Sequence, residues 1–401
     1  MISGLEKEKC TGCGVCVAVC PKRCISMKHD EYGFLYPDVD VKKCINCDKC
    51  NKFCHIRHLK NQMTDIPDVY VGYNKNEEIR RKSSSGGIFS VLADDVLASG
   101  GIVYGVKADK HQKIVHFRAD DASDLCKMRG SKYVQSSVDA DIYESAKKDI
   151  LSGKIVLFSG TPCQIGALNT FLSKKYDNLL TVSFICHGVP SPKVWEKYVE
   201  WQENVYKSKI SNLSFRNKDH GWTEFSMKLK FENGKKYCKT LKKDPFLKVF
   251  LKNLCLRPSC YDCSYKGKEI LSSNIDFLLA DKWGDIGTNL DKSNDDKGLS
   301  LIFVQTQKAK QILKKISDKI YIESADYQNA VNSNISYNKS AVKNANQVNF
   351  YTELNQIGFE KISDRYAKTP LTSTVREFVI KKGFWICKKL RIDKAVKKII
   401  N

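Results

Sequence analysis

The sequence predicts a multidomain protein of the mixed α+β and α/β class: a small cysteine-rich N-terminal domain, a larger α/β body and a helical C-terminal segment. Three observations predict this division. Nine of the 17 cysteines fall between residues 10 and 54, eight of them in two repeats. From residue 68 onward, short apolar strand patterns alternate with helical ones. The last residues, 375–400, have the pattern of a basic amphipathic helix.

Composition and charge limit the functional classes. Hydrophobic residues are 42% and charged residues 28% of the chain, as in ordinary globular proteins. No run of about 18 apolar residues predicts a membrane-spanning helix, and residues 1–10 show no secretory signal, so we expect a cytoplasmic protein. The formal charge of +22 is spread over lysines along the whole chain and does not predict specific nucleic-acid binding.

The chain divides into four predicted segments: a two-cluster domain at 1–60, α/β segments at 66–150 and 151–310, and a C-terminal extension at 311–401. A polar linker at 60–67 separates the first two. The patterns predict helices at 88–98 and 164–173, and strands at 102–106, 114–117, 154–160, 179–185, 277–280 and 301–305. They also predict a hairpin that joins 225–231 to 235–241.

Two four-cysteine repeats with the spacing C-x2-C-x2-C-x3-C occupy the N-terminal segment. Three cysteines at this spacing let one tight loop hold three corners of a 4Fe–4S cluster, and the fourth ligand comes from the other repeat. The first cluster is therefore predicted to take Cys10, Cys13, Cys16 and Cys54. The second is predicted to take Cys44, Cys47, Cys50 and Cys20. The pattern is that of a bacterial-type ferredoxin domain, which carries electrons.

Three details accompany the repeats. Pro21 follows Cys20 as the pattern requires, whereas His55 stands where a second proline is usual. Cys24 lies outside the pattern and is expected to be a small core residue. Structural zinc is the alternative metal, but a zinc site built from two C-x2-C pairs would leave four of the eight cysteines without a role.

A second group of cysteines lies in the body. Cys163 and Cys186 follow predicted strands, at the kind of position where α/β proteins place ligands. Cys260 and Cys263 lie in a polar Pro/Ser/Asp context, with Cys255 close by in the sequence. We predict a third 4Fe–4S cluster on Cys163, Cys186, Cys260 and Cys263, with Cys255 as a rival ligand. The alternative is that Cys163 and Cys186 are buried core thiols.

Six short motifs follow one another in the body. They are Ser83-Ser-Ser-Gly-Gly-Ile88, Gly130-Ser-Lys-Tyr-Val-Gln135, Ser159-Gly-Thr-Pro-Cys-Gln164, Cys186-His-Gly-Val-Pro-Ser-Pro192, Arg257-Pro-Ser-Cys-Tyr-Asp-Cys263 and Ala280-Asp-Lys-Trp-Gly-Asp285. In these motifs the chain resembles the family of coenzyme F-420 hydrogenase/dehydrogenase beta subunits, over roughly residues 66–310.

The resemblance implies an FAD-dependent iron–sulfur protein. Such a protein passes electrons between its clusters and a deazaflavin or another small-molecule acceptor, and exchanges them with a redox partner protein or low-potential donor. Relatives with this domain order are found with surface-polysaccharide biosynthesis genes. A flavin suits the cysteine pattern, because it converts the one-electron steps of clusters into hydride transfer.

Several residues are candidates for the flavin site. Ser85, Gly86 and Gly87 precede the helix at 88 and offer N–H groups to a pyrophosphate, although the same sequence is often an ordinary turn. Ser131 and Lys132 could contact phosphate and Tyr133 could pack on a ring; a solvated loop is the alternative. The remaining predicted cofactor contacts are Thr161, Gln164 and Asp285. His187 is the candidate proton donor, against a purely structural role.

The sequence thus predicts an iron–sulfur flavoprotein oxidoreductase. The alternative is a ferredoxin-type electron carrier or docking protein without flavin. The C-terminal helix, with Phe384 and Trp385 on its apolar face, further predicts peripheral contact with the inner face of a membrane. A helix packed on the body is the competing interpretation.

Overall fold

The structure is a computed structural model that describes residues 2–59, 65–292 and 295–368. The basic helix predicted at 375–400, and with it the predicted membrane contact, lies outside these ranges. Within them, no helix has both the length and the apolar character needed to cross a membrane.

The N-terminal domain contains two copies of one unit, which is a cysteine loop followed by a single helical turn. Its elements are α1 (Val15–Ala18), β1 (Ile25–His29), β2 (Leu35–Val39) and α2 (Lys49–Lys52). β1 and β2 pair antiparallel. Gly14, with φ of 78°, and Asp48, with φ of 59°, are left-handed residues that turn each cysteine loop into its helix.

The body contains two sheets with helices packed around them. Its strands are β3 (Asp68–Asn74), β4 (Ile102–Ala108), β5 (Ile114–Ala119), β6 (Val156–Ser159), β7 (Leu179–Phe184), β8 (Ile210–Asn217), β9 (Ser226–Phe231), β10 (Lys236–Thr240), β11 (Phe277–Asp281), β12 (Ser300–Val304) and β13 (Ile320–Ser324).

The helices of the body follow the same order along the chain. They are α3 (Glu77–Lys82), α4 (Ile88–Ala98), α5 (Ala122–Met128), α6 (Ala140–Leu151), α7 (Pro162–Leu172), α8 (Pro192–Tyr206), α9 (Pro245–Leu251), α10 (Asn289–Lys292), α11 (Gln307–Lys315), α12 (Tyr327–Ser333), α13 (Ile335–Asn338), α14 (Gln347–Leu354) and α15 (Phe359–Tyr366).

The larger sheet has eight strands in the order β13-β3-β12-β11-β7-β6-β4-β5. The central strands β4, β6, β7 and β11 run parallel, and β12, β3, β13 and β5 pair antiparallel to their neighbours. Two antiparallel steps give β3 the same direction as β11. The strands β3, β4, β6, β7 and β11 therefore end at one edge of the sheet, which we call the carboxyl edge.

The smaller sheet, in the order β10-β9-β8, packs with α8, α9, α14 and α15 around a second, aromatic core. Its β9–β10 pairing is the hairpin expected at 225–231 and 235–241. Trp195, Phe215 and Phe246 pack within this core, with ring centroids 4.7 to 6.1 Å apart.

The predicted fold class is confirmed, since a mixed α/β body with a large mixed sheet follows a ferredoxin-like N-terminal domain. The C-terminal extension adds β13, a strand that the sequence pattern did not predict. Strands from 66–150, 151–310 and 311–401 all join the larger sheet. The segment boundaries at 150 and 310 stay predictions.

Candidate iron–sulfur and flavin site

The four cysteines predicted for the first cluster lie together in the N-terminal domain. Burial raises the pKa of Cys16 well above its usual value, and negative charge on Cys13, Cys10 and Cys54 adds to this rise. All four thiols are therefore within electrostatic reach of one another. Cys10 and Cys54 are buried.

The four cysteines predicted for the second cluster line one cavity. These residues are Cys20, Cys44, Cys47 and Cys50. Cys47 is exposed, so this site is open to the surface. Cys24 is buried beside it, and its Sγ lies 3.4 Å from that of Cys20. The expected core residue is thus also a neighbour of the second site.

The spacing of the cysteine sulfurs bears on the choice between zinc and a cluster. A tetrahedral zinc site with Zn–S bonds of about 2.3 Å brings its sulfurs to about 3.8 Å from one another. Among the described residues, no three cysteine sulfurs lie within 4.8 Å of one another. The described cysteine sulfurs thus do not form the close triplet of a tetrahedral zinc site.

The cysteines predicted for the third cluster also meet at one cavity, which Cys163, Cys186, Cys260 and Cys263 line. They come from three separate parts of the chain. Cys163 follows β6 and Cys186 follows β7, at the carboxyl edge, while the other two lie on a short 3-10 turn and the loop after it. Cys255 is fully buried in the aromatic core and does not line this cavity.

Burial governs the chemistry of these thiols. It raises the pKa of Cys163 to about 12, and charge on Cys263, Cys186 and Cys13 contributes to the rise. It likewise raises the pKa of Cys186 and Cys260 to about 12. The thiols are therefore protonated without a metal, and binding iron would release their protons. The influence of Cys13 also shows that the first and third sites are neighbours.

Thr161 and Gln164 cap the N-terminal end of α7. Gln164 Oε1 accepts a hydrogen bond from the Thr161 N–H at 3.0 Å, in a capping box that also uses the Thr161 side chain. Gln164 Nε2 donates to Ser136 Oγ. The polar atoms of both predicted cofactor contacts thus hold the helix that presents Cys163.

His187 lies beside the third site and lines the same cavity. Its Nε2 is 2.7 Å from Asn253 Oδ1, and its Nδ1 is 3.4 Å from Ser336 Oγ. Burial lowers the pKa of His187, so the ring is neutral at neutral pH. The structure places this candidate proton donor next to Cys186.

The glycine loop at Ser85–Gly87 lies at the carboxyl edge, between β3 and α4. The Gly86 N–H donates to Ser300 Oγ at 2.9 Å, and a Cβ on Gly86 would lie 2.4 Å from the Gly72 carbonyl oxygen. Gly87 has φ of 87°. The close approach at Gly86 and the left-handed backbone at Gly87 explain why both positions are glycine.

The loop that contains Ser131, Lys132 and Tyr133 contacts the glycine loop, since the Ser131 N–H donates to Ser84 Oγ. The Lys132 ammonium donates to the carbonyl oxygens of Lys127, Met128, Arg129 and Gly130. It holds the C-terminal end of α5, and the phosphate contact that the sequence suggested stays a prediction. The Tyr133 ring packs 4.9 Å from that of Phe250.

Arg216, on β8, is a candidate that sequence reasoning missed. It is 7% exposed, and it forms a salt bridge with Asp281 at the end of β11. Its Nε and Nη2 are buried and are not fully satisfied by the described residues, with the Tyr133 hydroxyl as the polar group beside the guanidinium. Buried donors that are not fully satisfied are costly, so Arg216 is a candidate contact for a ligand. An isolated arginine in a strand offers no sequence signal.

Positive charge and aromatic rings surround Arg216. The Trp283 ring, which is half-buried, stacks on Trp222 with a centroid distance of 4.9 Å and an angle of 6°. The Arg216 guanidinium lies 5.8 Å from the Trp283 centroid. Burial lowers the pKa of Lys218 to about 7, and the charges of Arg216 and Arg80 contribute. These crowded cations favour an anionic ligand.

The order of the strands sets the layout of the carboxyl edge. The third-cluster cavity lies at β6 and β7, the Trp283–Asp285 loop follows β11, and the glycine loop follows β3. Three strand spacings, or about 14 Å, separate β7 from β3. Asp285, a predicted cofactor contact, is exposed on the middle loop, where it accepts a hydrogen bond from the Gly287 N–H.

Family models match most of this architecture. Two models describe the beta subunit of coenzyme F420 hydrogenase/dehydrogenase: the N-terminal one matches residues 69–140, and the C-terminal one matches residues 153–330. The chain belongs to the family of coenzyme F420 hydrogenase/dehydrogenase beta subunits. A 4Fe–4S dicluster domain matches residues 9–57, which confirms that the N-terminal domain of this family member binds 4Fe–4S clusters.

Individual relatives are more distant. The chain is 21% identical to an F(420)H(2) dehydrogenase subunit of Methanosarcina mazei, over 45% of this chain and 54% of the relative. Its N-terminal region is 44% identical to a ferredoxin of Methanocaldococcus jannaschii, over 12% of this chain and 64% of the relative. The chain therefore spans between about half and two thirds of these relatives.

One solved structure shares the fold only loosely. It is a chain of the F420-reducing [NiFe] hydrogenase complex of Methanosarcina barkeri. The similarity covers 65% of this chain and 85% of that one, with 20% identity and a TM-score of 0.43.

Proposed function

We propose that this chain is an iron–sulfur flavoprotein oxidoreductase, in which two ferredoxin clusters and a third cluster exchange electrons with FAD. One observation carries the proposal. Cys163, Cys186, Cys260 and Cys263, from three distant parts of the chain, line one cavity at the carboxyl edge of the sheet. A fold that only carried electrons on the N-terminal domain would have no need of this second gathering of thiols.

The case for FAD rests on the layout beside that cavity. Arg216 offers two buried donors, and Trp283 offers a half-exposed ring stacked on Trp222. Lys218 donates to the Ser85 carbonyl oxygen and so places positive charge at the glycine loop, with the charges of Arg80 and Arg216 near it. An aromatic platform, buried donors and positive charge are what a flavin with its pyrophosphate requires.

When bound there, the flavin supplies the conversion between one-electron and hydride chemistry. The chain's own residues then have distinct parts. Arg216 and Trp283 would hold its ring system, and the loop at Ser85–Gly87 would hold the pyrophosphate. His187, neutral and held by Asn253, is the candidate proton donor on the cluster side.

The resemblance supplies the remaining parts of the proposal. The acceptor is a deazaflavin or another small molecule. The chain has its role in surface-polysaccharide biosynthesis. The electron donor is a protein, because one of the relatives is a subunit of a dehydrogenase.

Flavin analysis of anaerobically purified protein tests the proposal. We expect noncovalent FAD at about one per chain. Trp283→Leu should release it while the iron content stays at the wild-type level, because Trp283 lines neither of the two cavities at which predicted cluster ligands meet. Trp201→Leu is the matched control, a half-buried tryptophan that packs on Phe359 in the aromatic core. Cluster-loaded protein that neither contains nor takes up FAD or FMN would leave the electron-carrier alternative.

A further inference from the structure

The loop of the first cluster is held by side chains of the body. Arg257 Nε donates to the Cys10 carbonyl oxygen at 2.8 Å, Gln135 Nε2 to that of Thr11 at 3.0 Å, and the Tyr143 hydroxyl to that of Cys13 at 2.8 Å. Arg257 and Tyr143 are almost completely buried. The N-terminal domain is thus docked through the backbone that carries its cluster ligands.

Arg257 extends this contact to the rest of the N-terminal domain. Its Nη2 donates to the Leu35 carbonyl oxygen at 2.9 Å, and its guanidinium lies 4.3 Å from the Tyr36 ring centroid. A Cβ on Gly12 would lie 2.7 Å from Arg257 Nη1. The cluster loop therefore fits against this arginine only because residue 12 is a glycine.

A hydrogen-bonded chain crosses the same interface. The His55 Nδ1 is 2.5 Å from the Tyr265 hydroxyl, and its Nε2 is 3.1 Å from Thr11 Oγ1. Burial lowers the pKa of His55 to about 3, so the ring is neutral, with one nitrogen that donates and one that accepts. His55 is the residue that replaces the usual proline of the ferredoxin repeat, and this contact gives the replacement a structural reason.

Tyr265 lies between the first and third sites. It lines the cavity of the third site, two residues after Cys263. Burial raises its pKa well above the usual value, and charge on Cys163, Cys13, Cys263 and Cys54 contributes to the rise. These four neighbours are two predicted ligands from each of the two clusters. His55 directly follows Cys54, so one hydrogen bond connects chain segments that carry ligands of both.

We propose that the Tyr265–His55 hydrogen bond fixes the first cluster against the third, so that electrons pass within this chain in the order second, first and third cluster, or the reverse. Tyr265 and His55 are positioning residues in this scheme. The exposed Cys47 makes the second cluster the point where a redox partner protein exchanges electrons. The inference rests on the third cluster of the proposed function.

Two variants remove the hydrogen bond from opposite sides. Tyr265→Phe keeps the ring and removes the hydroxyl, whereas His55→Pro restores the usual residue of the repeat. Tyr261→Phe is the matched control, because the Tyr261 hydroxyl belongs to the same cysteine motif but donates to the Asn253 carbonyl oxygen inside the body. All are prepared as full-length, anaerobically reconstituted protein.

The measurements are the iron content, the electron paramagnetic resonance spectrum of the reduced clusters and the rate at which the third cluster is reduced. We expect wild-type protein and Tyr261→Phe to show magnetic interaction between the first and third clusters. Tyr265→Phe and His55→Pro should keep all their iron, with a weaker interaction and a severalfold slower reduction of the third cluster.

The outcomes separate the inference from the proposed function. Wild-type protein with no third-cluster signal would overturn the proposed function, and this inference with it. A third cluster whose interaction and reduction rate are unchanged in both variants would overturn the inference alone. Loss of iron from the third cluster in Tyr265→Phe would also overturn it, because the hydroxyl would then serve cluster assembly. If only His55→Pro loses iron, the magnetic interaction and the reduction rate of the third cluster in Tyr265→Phe decide whether the inference holds.

Discussion

At the scale of single residues, Asp244 connects three parts of the aromatic core. Its carboxylate accepts hydrogen bonds from the Tyr198 and Tyr237 hydroxyls at 2.7 and 2.8 Å, and from the Leu247 N–H at the start of α9. Burial raises its pKa, which means that the charged form depends on these donors. Loss of the carboxylate would leave two buried hydroxyls without an acceptor.

We therefore predict that Asp244→Ala lowers the free energy of unfolding by about 3 kcal/mol, the sum of an unsatisfied buried pair and a lost helix cap. Urea unfolding followed by circular dichroism measures this. Asp326→Ala is the control, because Asp326 caps α12 in the same way but is exposed, and it should cost only about 1 kcal/mol. Equal losses in the two variants would refute the role of the tyrosines.

Single residues also show where sequence reasoning reaches its limit. The eight repeat cysteines could be grouped into two sites from spacing alone, because the loop geometry is local. Arg216, Arg257 and Tyr265 could not be assigned roles, since each acts through partners more than 60 positions away in the chain. His55 was visible as a departure from the pattern, but its partner was not.

At the scale of elements, the apolar runs located the strands of the parallel core, since buried parallel strands are continuous hydrophobic segments. The helix predicted at 88–98 is α4 with the same bounds. The pairing of β3 with both β12 and β13 had no local signal, because antiparallel partners far apart in sequence are chosen by the whole sheet. The glycine loop and the end of β11 lie at the same edge of the sheet only because the strands are in that order.

Lys132 shows how a basic side chain of the kind that binds phosphate can stabilise the end of a helix. Its ammonium satisfies four carbonyl oxygens at the end of α5, a usual place for a basic side chain. We predict that Lys132→Met lowers the free energy of unfolding by about 1 to 2 kcal/mol and leaves the flavin content unchanged. Unfolding and flavin fluorescence decide this together: lost flavin with unchanged stability would support the phosphate role.

At the scale of the whole molecule, the proposed function makes the N-terminal domain and the body parts of one electron path. The second site is open to the surface, and the third lies at the carboxyl edge. The loop of the first site accepts hydrogen bonds from Arg257, Gln135 and Tyr143. The flavin candidates continue along the same edge. This succession could not be read from the sequence, because cysteine spacing defines the groups but not which of them are neighbours.

The iron content of the reconstituted protein tests the central claim most directly. Three 4Fe–4S clusters predict about 12 irons per chain in the wild type, and about 8 in the Cys260→Ser/Cys263→Ser double variant. Cys255→Ala is the control, because this buried core thiol does not line the third cavity, and it should keep the wild-type count. About 8 irons in both the wild type and the double variant would contradict the account.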